Sequence, residues 1–326
     1  MASAGINVTP GNNNYSIANN RIYQTSSLTY TGTQTVRGMW ISPNTGSLTS
    51  ASGYVISNNS IGYSTSAGTG TYTMTGTTAW LFSGMDLSLG IGTASSVQNN
   101  TITNFNVTSG NTGSTAFVGI NVANGVVDIG TVTGNLIGSN TVNGAITFTA
   151  TANTGGVLGI RTGGGSLINI ANNQVSGVDL LSSVLTVAPV FNGIAVSGGT
   201  TVNVTNNTVG SLTLANSINA ISASTSTSIQ SIRGITVNSG ATARVVTGNI
   251  IANMNTNIAA VGTQATSMQG IQVTAGTVTV SNNTITNLSS STQTTSGGNT
   301  SAIVGIAYSS TTAPATISGN TFIHCD

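Results

Sequence analysis

The chain has 326 residues, 42 of them Gly; only 3% are charged, and the formal net charge is +1. A usual soluble domain is about 25% charged, whereas here five Arg and four Asp carry all the charge and both Lys and Glu are absent. Five scattered Arg supply no basic patch that could release counterions from nucleic acid, so no nucleic-acid partner is expected.

Hydrophobic residues make up 38% of the chain, which separates it from disordered chains of low hydrophobicity and high net charge. The stretch from Met1 to Ser3 has no basic segment leading into an apolar one, so no signal peptide is expected. The longest apolar run, Leu180 to Val196, is broken by Ser182, Ser183, Pro189 and Asn192. It falls short of the roughly 18–20 apolar residues of a membrane helix, and no membrane insertion is expected. A single Cys rules out an intrachain disulfide framework.

Taken along the chain, two motifs alternate. Each repeat opens on Gly followed by Ile or Met, at Gly5, Gly38, Gly84, Gly119, Gly159, Gly193, Gly234, Gly270 and Gly305. Each then carries Val/Ile-x-x-Asn-x-aliphatic or Phe, centred on Asn20, Asn59, Asn100, Asn135, Asn173, Asn207, Asn249, Asn283 and Asn320. The repeat averages about 37 residues and varies from 33 (Gly5 to Gly38) to 46 (Gly38 to Gly84). Around each Asn, β-branched residues alternate with polar ones, as in Thr277-Val-Thr-Val-Ser-Asn-Asn-Thr-Ile. That period of two predicts strands, and glycine at this density disfavours helix. Near each Gly the apolar positions fall three apart (Val36 and Met39, Phe82 and Met85), which predicts a bend or bulge there. Strands too short to bury their own face are expected to stack coil on coil. At about 4.8 Å per coil, nine coils make a rod of roughly 40 Å.

These repeats resemble the pectin-lyase-like right-handed parallel β-helices over essentially the whole chain. The resemblance implies three strands per coil, with the nine Asn at a tight turn between the second and third. It also implies that the Gly-Ile-x-Val segments are first strands, and that a third strand and a long loop follow each Asn. Asn tolerates the left-handed backbone of a sharp turn, and stacked copies can bond amide to amide. The expected architecture is therefore all-β, one domain over 1–326. The lack of capping segments at its ends fits either a segment of a longer repeat protein or ends that stack into a fibre. Architecture of this kind serves many functions and specifies none.

Few residues offer chemistry. In the column five after each Asn, Cys325 follows Val178, Leu212, Met254 and Leu288, and so is expected as a small core residue. His324 shares a column with Asn253 and Asn287. Neither has nearby partners for a metal site, and no cofactor is expected. In the resemblance, active sites lie on the outer face of the first strand. The column two after each Gly reads Asn7, Trp40, Asp86, Asn121, Arg161, Ala195, Thr236, Gln272, Ala307. An aromatic, an amide and an Asp86/Arg161 ion pair, about 10 Å apart by strand spacing, make Trp40, Asp86, Asn121 and Arg161 the candidate ligand-binding stripe. Glycoside hydrolysis usually needs two carboxylates, and calcium about 6–8 oxygen ligands; this column has one Asp, so no catalytic residue is assigned.

The column after each Asn (Arg21, Ser60, Thr101, Leu136, Gln174, Thr208, Ile250, Thr284, Thr321) is too mixed for an ice-matching Thr lattice. The runs Gly163 to Gly165 and Gly198 to Gly199 are expected turns, since no Lys or helix follows. The leading expectation is a non-catalytic extracellular stalk, fibre or adhesin-like module of a bacterial cell surface, with further copies of itself or surface glycans as partners. A carbohydrate-binding or polysaccharide-cleaving β-helix is the alternative, and an ice-binding solenoid the third.

Overall fold

Short segments that alternate apolar with Ser, Thr and Asn leave one face unburied, and in the computed structural model of the chain they bury it against one another. The structure describes residues 3–9, 13–41, 50–113, 115–152, 155–186, 188–224, 229–238, 243–258, 266–290, 303–310 and 314–325, and among these every regular element is a strand. The first sheet has nine strands, from Ser3–Val8 through Leu81–Ser88 and Gly156–Thr162 to Ile303–Tyr308, stacked in sequence order. The second sheet also has nine, from Ser16–Ala18 to Ala315–Ser318, in the same order. All pairings are parallel. Eight turns of a parallel β-helix therefore separate nine levels.

The third sheet has fifteen strands because early coils split their third strand. Thr101–Thr103 and Phe105–Ser109 are separate strands, whereas Ile250–Ile258 spans both positions without a break. Insertions at residues 63–71, 139–145 and 211–217 separate the two parts in three coils, which corrects the column expected five residues after each Asn. Phe105 stands level with Tyr72 below and Ile146 above, followed by Val178, Ile218, Met254, Leu288 and Cys325. Leu212 belongs to an exposed insertion instead. Cys325 packs against the core at its last level.

The nine Asn form one continuous ladder. Nδ2 of each donates to Oδ1 of the next, from Asn20 to Asn59 (2.9 Å) through Asn135 to Asn173 (2.8 Å) to Asn283 to Asn320 (2.9 Å). The same Oδ1 accepts the backbone N–H of the Asn below it, as from Asn135 to Asn173 at 3.0 Å. The second Nδ2 hydrogen reaches a carbonyl in the preceding coil, as from Asn173 to Ile129 at 3.0 Å. A side-chain amide has two donors and two acceptor lone pairs, and each interior ladder amide uses all four. That satisfaction is what permits Asn59 through Asn283 to be at most 1% exposed. The ladder Asn is not itself the left-handed residue of the turn. That conformation falls one position earlier, at Asn19, Asn58, Asn99, Asn172, Asn206 and Asn282 (φ 52° to 60°) and at Gly248 and Gly319. The polar side chain thus stays free to stack while its neighbour makes the corner.

The two sequence motifs meet in space. A Cβ on Gly159 would lie 2.4 Å from the Gly193 carbonyl oxygen and 2.7 and 2.8 Å from the methyls of Val175. The same contact pairs each motif Gly with the residue two after a ladder Asn, from Gly5 with Ile22 to Gly305 with Phe322. Glycine is required because that side chain occupies the space a Cβ would fill. Inward positions change phase there, since Val36, Gly38, Met39 and Ile41 are all buried. Register is kept because every coil carries the same bend. The interior is aromatic around Phe82, Phe105 and Phe117 (centroids 4.8 to 5.4 Å apart), and further along the chain Phe148 and Phe191 are buried among aliphatic side chains.

Candidate functional site

Outward positions of the first sheet form two usable columns. One is the predicted stripe, and pairing places Trp40, Asp86, Asn121 and Arg161 on consecutive levels. The other, one residue before each Gly, runs Ala4, Arg37, Ser83, Val118, Leu158, Asn192, Arg233, Gln269, Val304.

The structure joins the predicted residues through Arg37, which reading a single column had missed. Arg37 Nε donates to Asp86 Oδ2 at 2.5 Å, with both side chains less than one-fifth exposed. The Arg37 guanidinium also lies 4.4 Å from the Trp40 ring centroid. Asn121 Nδ2 donates to the other carboxylate oxygen, Asp86 Oδ1, at 2.7 Å. Arg161 donates to Asn121 Oδ1 at 3.3 Å. The ion pair expected between Asp86 and Arg161 is therefore replaced by Arg37–Asp86. Arg37 lies one level below Asp86 on the neighbouring column, within reach of a carboxylate that Arg161, two levels above, contacts only through Asn121.

The other described carboxylates repeat this pattern. On the second sheet, Asn169 Nδ2 donates to Asp128 Oδ1 at 2.7 Å, and Asn203 Nδ2 to Asn169 Oδ1 at 2.8 Å. On the third, Asn219 hydrogen-bonds Asp179, and Asn255 Nδ2 donates to Asn219 Oδ1 at 2.9 Å. Each Asp thus heads an outer-face amide ladder, and the three ladders lie on three different sheets. Burial raises the Asp179 carboxyl above its usual range, partly offset by the Asn219 bond. Among the described residues no three His, Cys, Asp or Glu side chains converge as metal ligands would. His324 holds a left-handed turn (φ 47°) shared by Asn253 and Asn287.

Above the Asp86 cluster the sheet's outer face is depressed by about 380 Å³, lined by Arg161, Arg233, Asn192, Thr236, Leu158 and Ala195 among others. A smaller hollow of about 170 Å³ at Arg37, Asp86 and Asn121 shares Arg161 with it. Val118, Leu158 and Ala195 form an apolar patch outside the main core, each under 10% exposed. Arg233 Nε donates to Gln269 Oε1 at 3.2 Å, and burial lowers the pKa of its guanidinium. Thr236 Oγ1 donates to Asn192 Oδ1 at 2.9 Å. The expected glycine turns are present: Gly165 (φ 130°) and Gly199 (φ 125°) connect first to second strands. The column after each Asn keeps its mixed composition in register, with Leu136 between Thr101 and Gln174 and Ile250 between Thr208 and Thr284.

No protein-family model, curated protein or solved structure matches the chain.

Proposed function

We propose that the chain is a non-catalytic β-helical rod of the pectin-lyase-like kind, acting as a structural or adhesin-like module at a bacterial cell surface. The carrying observation is the use made of the carboxylates. Asp86, Asp128 and Asp179 each accept an Asn amide from the level above, and each stands on a different sheet. Two carboxylates facing each other across a glycosidic bond, the usual arrangement for hydrolysis, are not found among the described residues. Low charge and only five Arg give trypsin few places to cut, which suits a rod exposed to proteases. Self-association into a fibre belongs to the same reading, and sedimentation across a concentration series reads it directly.

The second reading is carbohydrate contact along the first sheet, favoured by the joined Trp40–Arg37–Asp86–Asn121–Arg161 chain beside a depression. A reducing-sugar and unsaturated-product assay on a polysaccharide panel tests the lead. No turnover is expected, and turnover that disappears in Asp86→Ala would overturn it.

A further inference from the structure

The outer face of the third sheet carries its insertions on alternate levels. Residues 63–71, 139–145 and 211–217 stand on the second, fourth and sixth levels, and the levels between have none. The gap over the fifth level is bridged by the chain itself: Asn143 Nδ2 donates to the Ala215 carbonyl at 3.0 Å, and Ser211 Oγ to the Asn140 carbonyl at 3.4 Å. The gap over the third level is open, a hollow of about 370 Å³ lined by Tyr63, Thr103, Asn104, Leu136 and Val142 among others, with no charged residue in its lining. Val142, on the fourth-level insertion, is 59% exposed.

Two charges of opposite sign flank this hollow. Arg21 and Asp179 are the only Arg or Asp in the described strands of the third sheet. Arg21 Nη1 donates to the Ser66 carbonyl, which holds the guanidinium against the second-level insertion. Asp179 stands on the fifth level, and a Cβ on Gly144 would lie 2.9 Å from its Oδ2, so the carboxylate adjoins the fourth-level insertion. Among the described residues neither charge has an ion-pair partner. A half-buried carboxylate without a cation is costly, and a guanidinium brought to it relieves the cost.

We propose that this face pairs two copies of the chain as antiparallel rods. A twofold axis crossing the rods between the third and fourth levels sets the fourth level of each copy on the third level of the other, and the second on the fifth. The fourth-level insertion with Val142 then enters the open hollow, and Arg21 of each copy meets Asp179 of the other. The contact is isologous and closes at two copies. Its uncharged centre brings no like charges together. The pairing goes beyond the rod reading and differs from end-to-end stacking, a head-to-tail contact that continues past the dimer.

Sedimentation equilibrium of the full chain up to about 500 µM tests it, a range that covers the affinity of a small polar interface. A monomer–dimer equilibrium is expected, weakened in about 1 M salt because the flanking charges are screened. Arg21→Asp and Asp179→Arg each set like charges face to face in both halves of the dimer, and each is expected to weaken pairing about thirtyfold or more. Mixed one to one, the two variants are expected to pair as the parent does, since every charge then faces its opposite; a folding defect gives no such rescue. Val142→Asp changes an exposed loop and covers the case in which circular dichroism shows Asp179→Arg unfolded. It is expected to weaken pairing about tenfold or more, because a carboxylate would enter the uncharged hollow. Val55→Asp, the same change at a 46% exposed position on the second sheet, leaves pairing within about twofold. A chain that stays monomeric overturns the proposal. So does a mixture of folded charge variants that fails to pair, parent-like pairing in Val142→Asp, or an equal loss in Val55→Asp. Assembly that grows past the dimer and is unchanged in Arg21→Asp is end stacking, which overturns the pairing and leaves the rod reading intact. Polysaccharide cleavage would overturn the non-catalytic reading and leave the pairing intact, so the two fail separately.

Discussion

Replacing Asn173 by Ala cuts the buried ladder at its middle. The substitution removes the Oδ1 that accepts both the backbone N–H of Asn135 (3.0 Å) and its Nδ2 (2.8 Å). Asn135 is 1% exposed, so water has little access to replace that acceptor. Each buried donor left unpaired costs about 1–3 kcal/mol, so two give about 2–6 kcal/mol. The natural control is Asn20→Ala at the ladder's first rung. Asn20 donates its Nδ2 to Asn59 Oδ1, yet among the described residues nothing donates to its own oxygen. Asn59 Oδ1 would still accept the backbone N–H of residue 20. No buried donor is orphaned, and the expected cost is about 1 kcal/mol or less. Urea unfolding followed by far-ultraviolet circular dichroism compares the two, while amide exchange at Asn135 reports local opening. The reasoning is refuted if both variants lose the same stability, or if the Asn135 amide is no less protected in Asn173→Ala.

Gly159→Ala is expected to destabilise by about 1–3 kcal/mol, the usual range for overpacking. Its Cβ would meet the Gly193 carbonyl oxygen, a backbone atom that cannot rotate away; thermal unfolding checks this. Asp179 has a raised folded pKa, so its contribution to stability is fully present below the unfolded carboxyl pKa and is lost as pH rises through the folded value. Asp179→Asn, whose oxygen can still accept from Asn219, is therefore expected to be more stable than the parent at neutral pH. Denaturant midpoints across a pH series should show that gain vanishing near pH 3, below both pKa values. For the first sheet, a double-mutant cycle on Arg37→Gln and Asp86→Asn should give a coupling of about 1–2 kcal/mol, since the pair is mostly shielded. A null coupling would mean the contact is not maintained in solution.

The fold was legible because its two motifs recur at all nine levels, and because the residues at each motif have one physical task. The Asn positions carried the ladder and the Gly positions marked the bend. What stayed hidden was that Gly159 and Val175 are two sides of one contact, since only the closure of the coil brings them together. The stripe through Trp40, Asp86, Asn121 and Arg161 was legible for the same reason, constant register along a column. Arg37 was not, because its contact with Asp86 runs diagonally between columns. The insertion at residues 211–217 likewise moved Leu212 out of the core, because spacing from the Asn counts residues while the sheet counts levels. Asp128 and Asp179 looked isolated in sequence. Each acquires meaning only when the next coil supplies Asn169 or Asn219 at the same height.

The most direct test of the account is a prolonged polysaccharide-cleavage assay on the parent chain beside the triple variant Asp86→Asn, Asp128→Asn, Asp179→Asn. An amide oxygen accepts in place of each carboxylate, so all three outer ladders are retained in the variant. The account predicts no product from either protein and a triple variant that folds to the same β-rich spectrum. Product released by the parent and lost in the triple variant would contradict it.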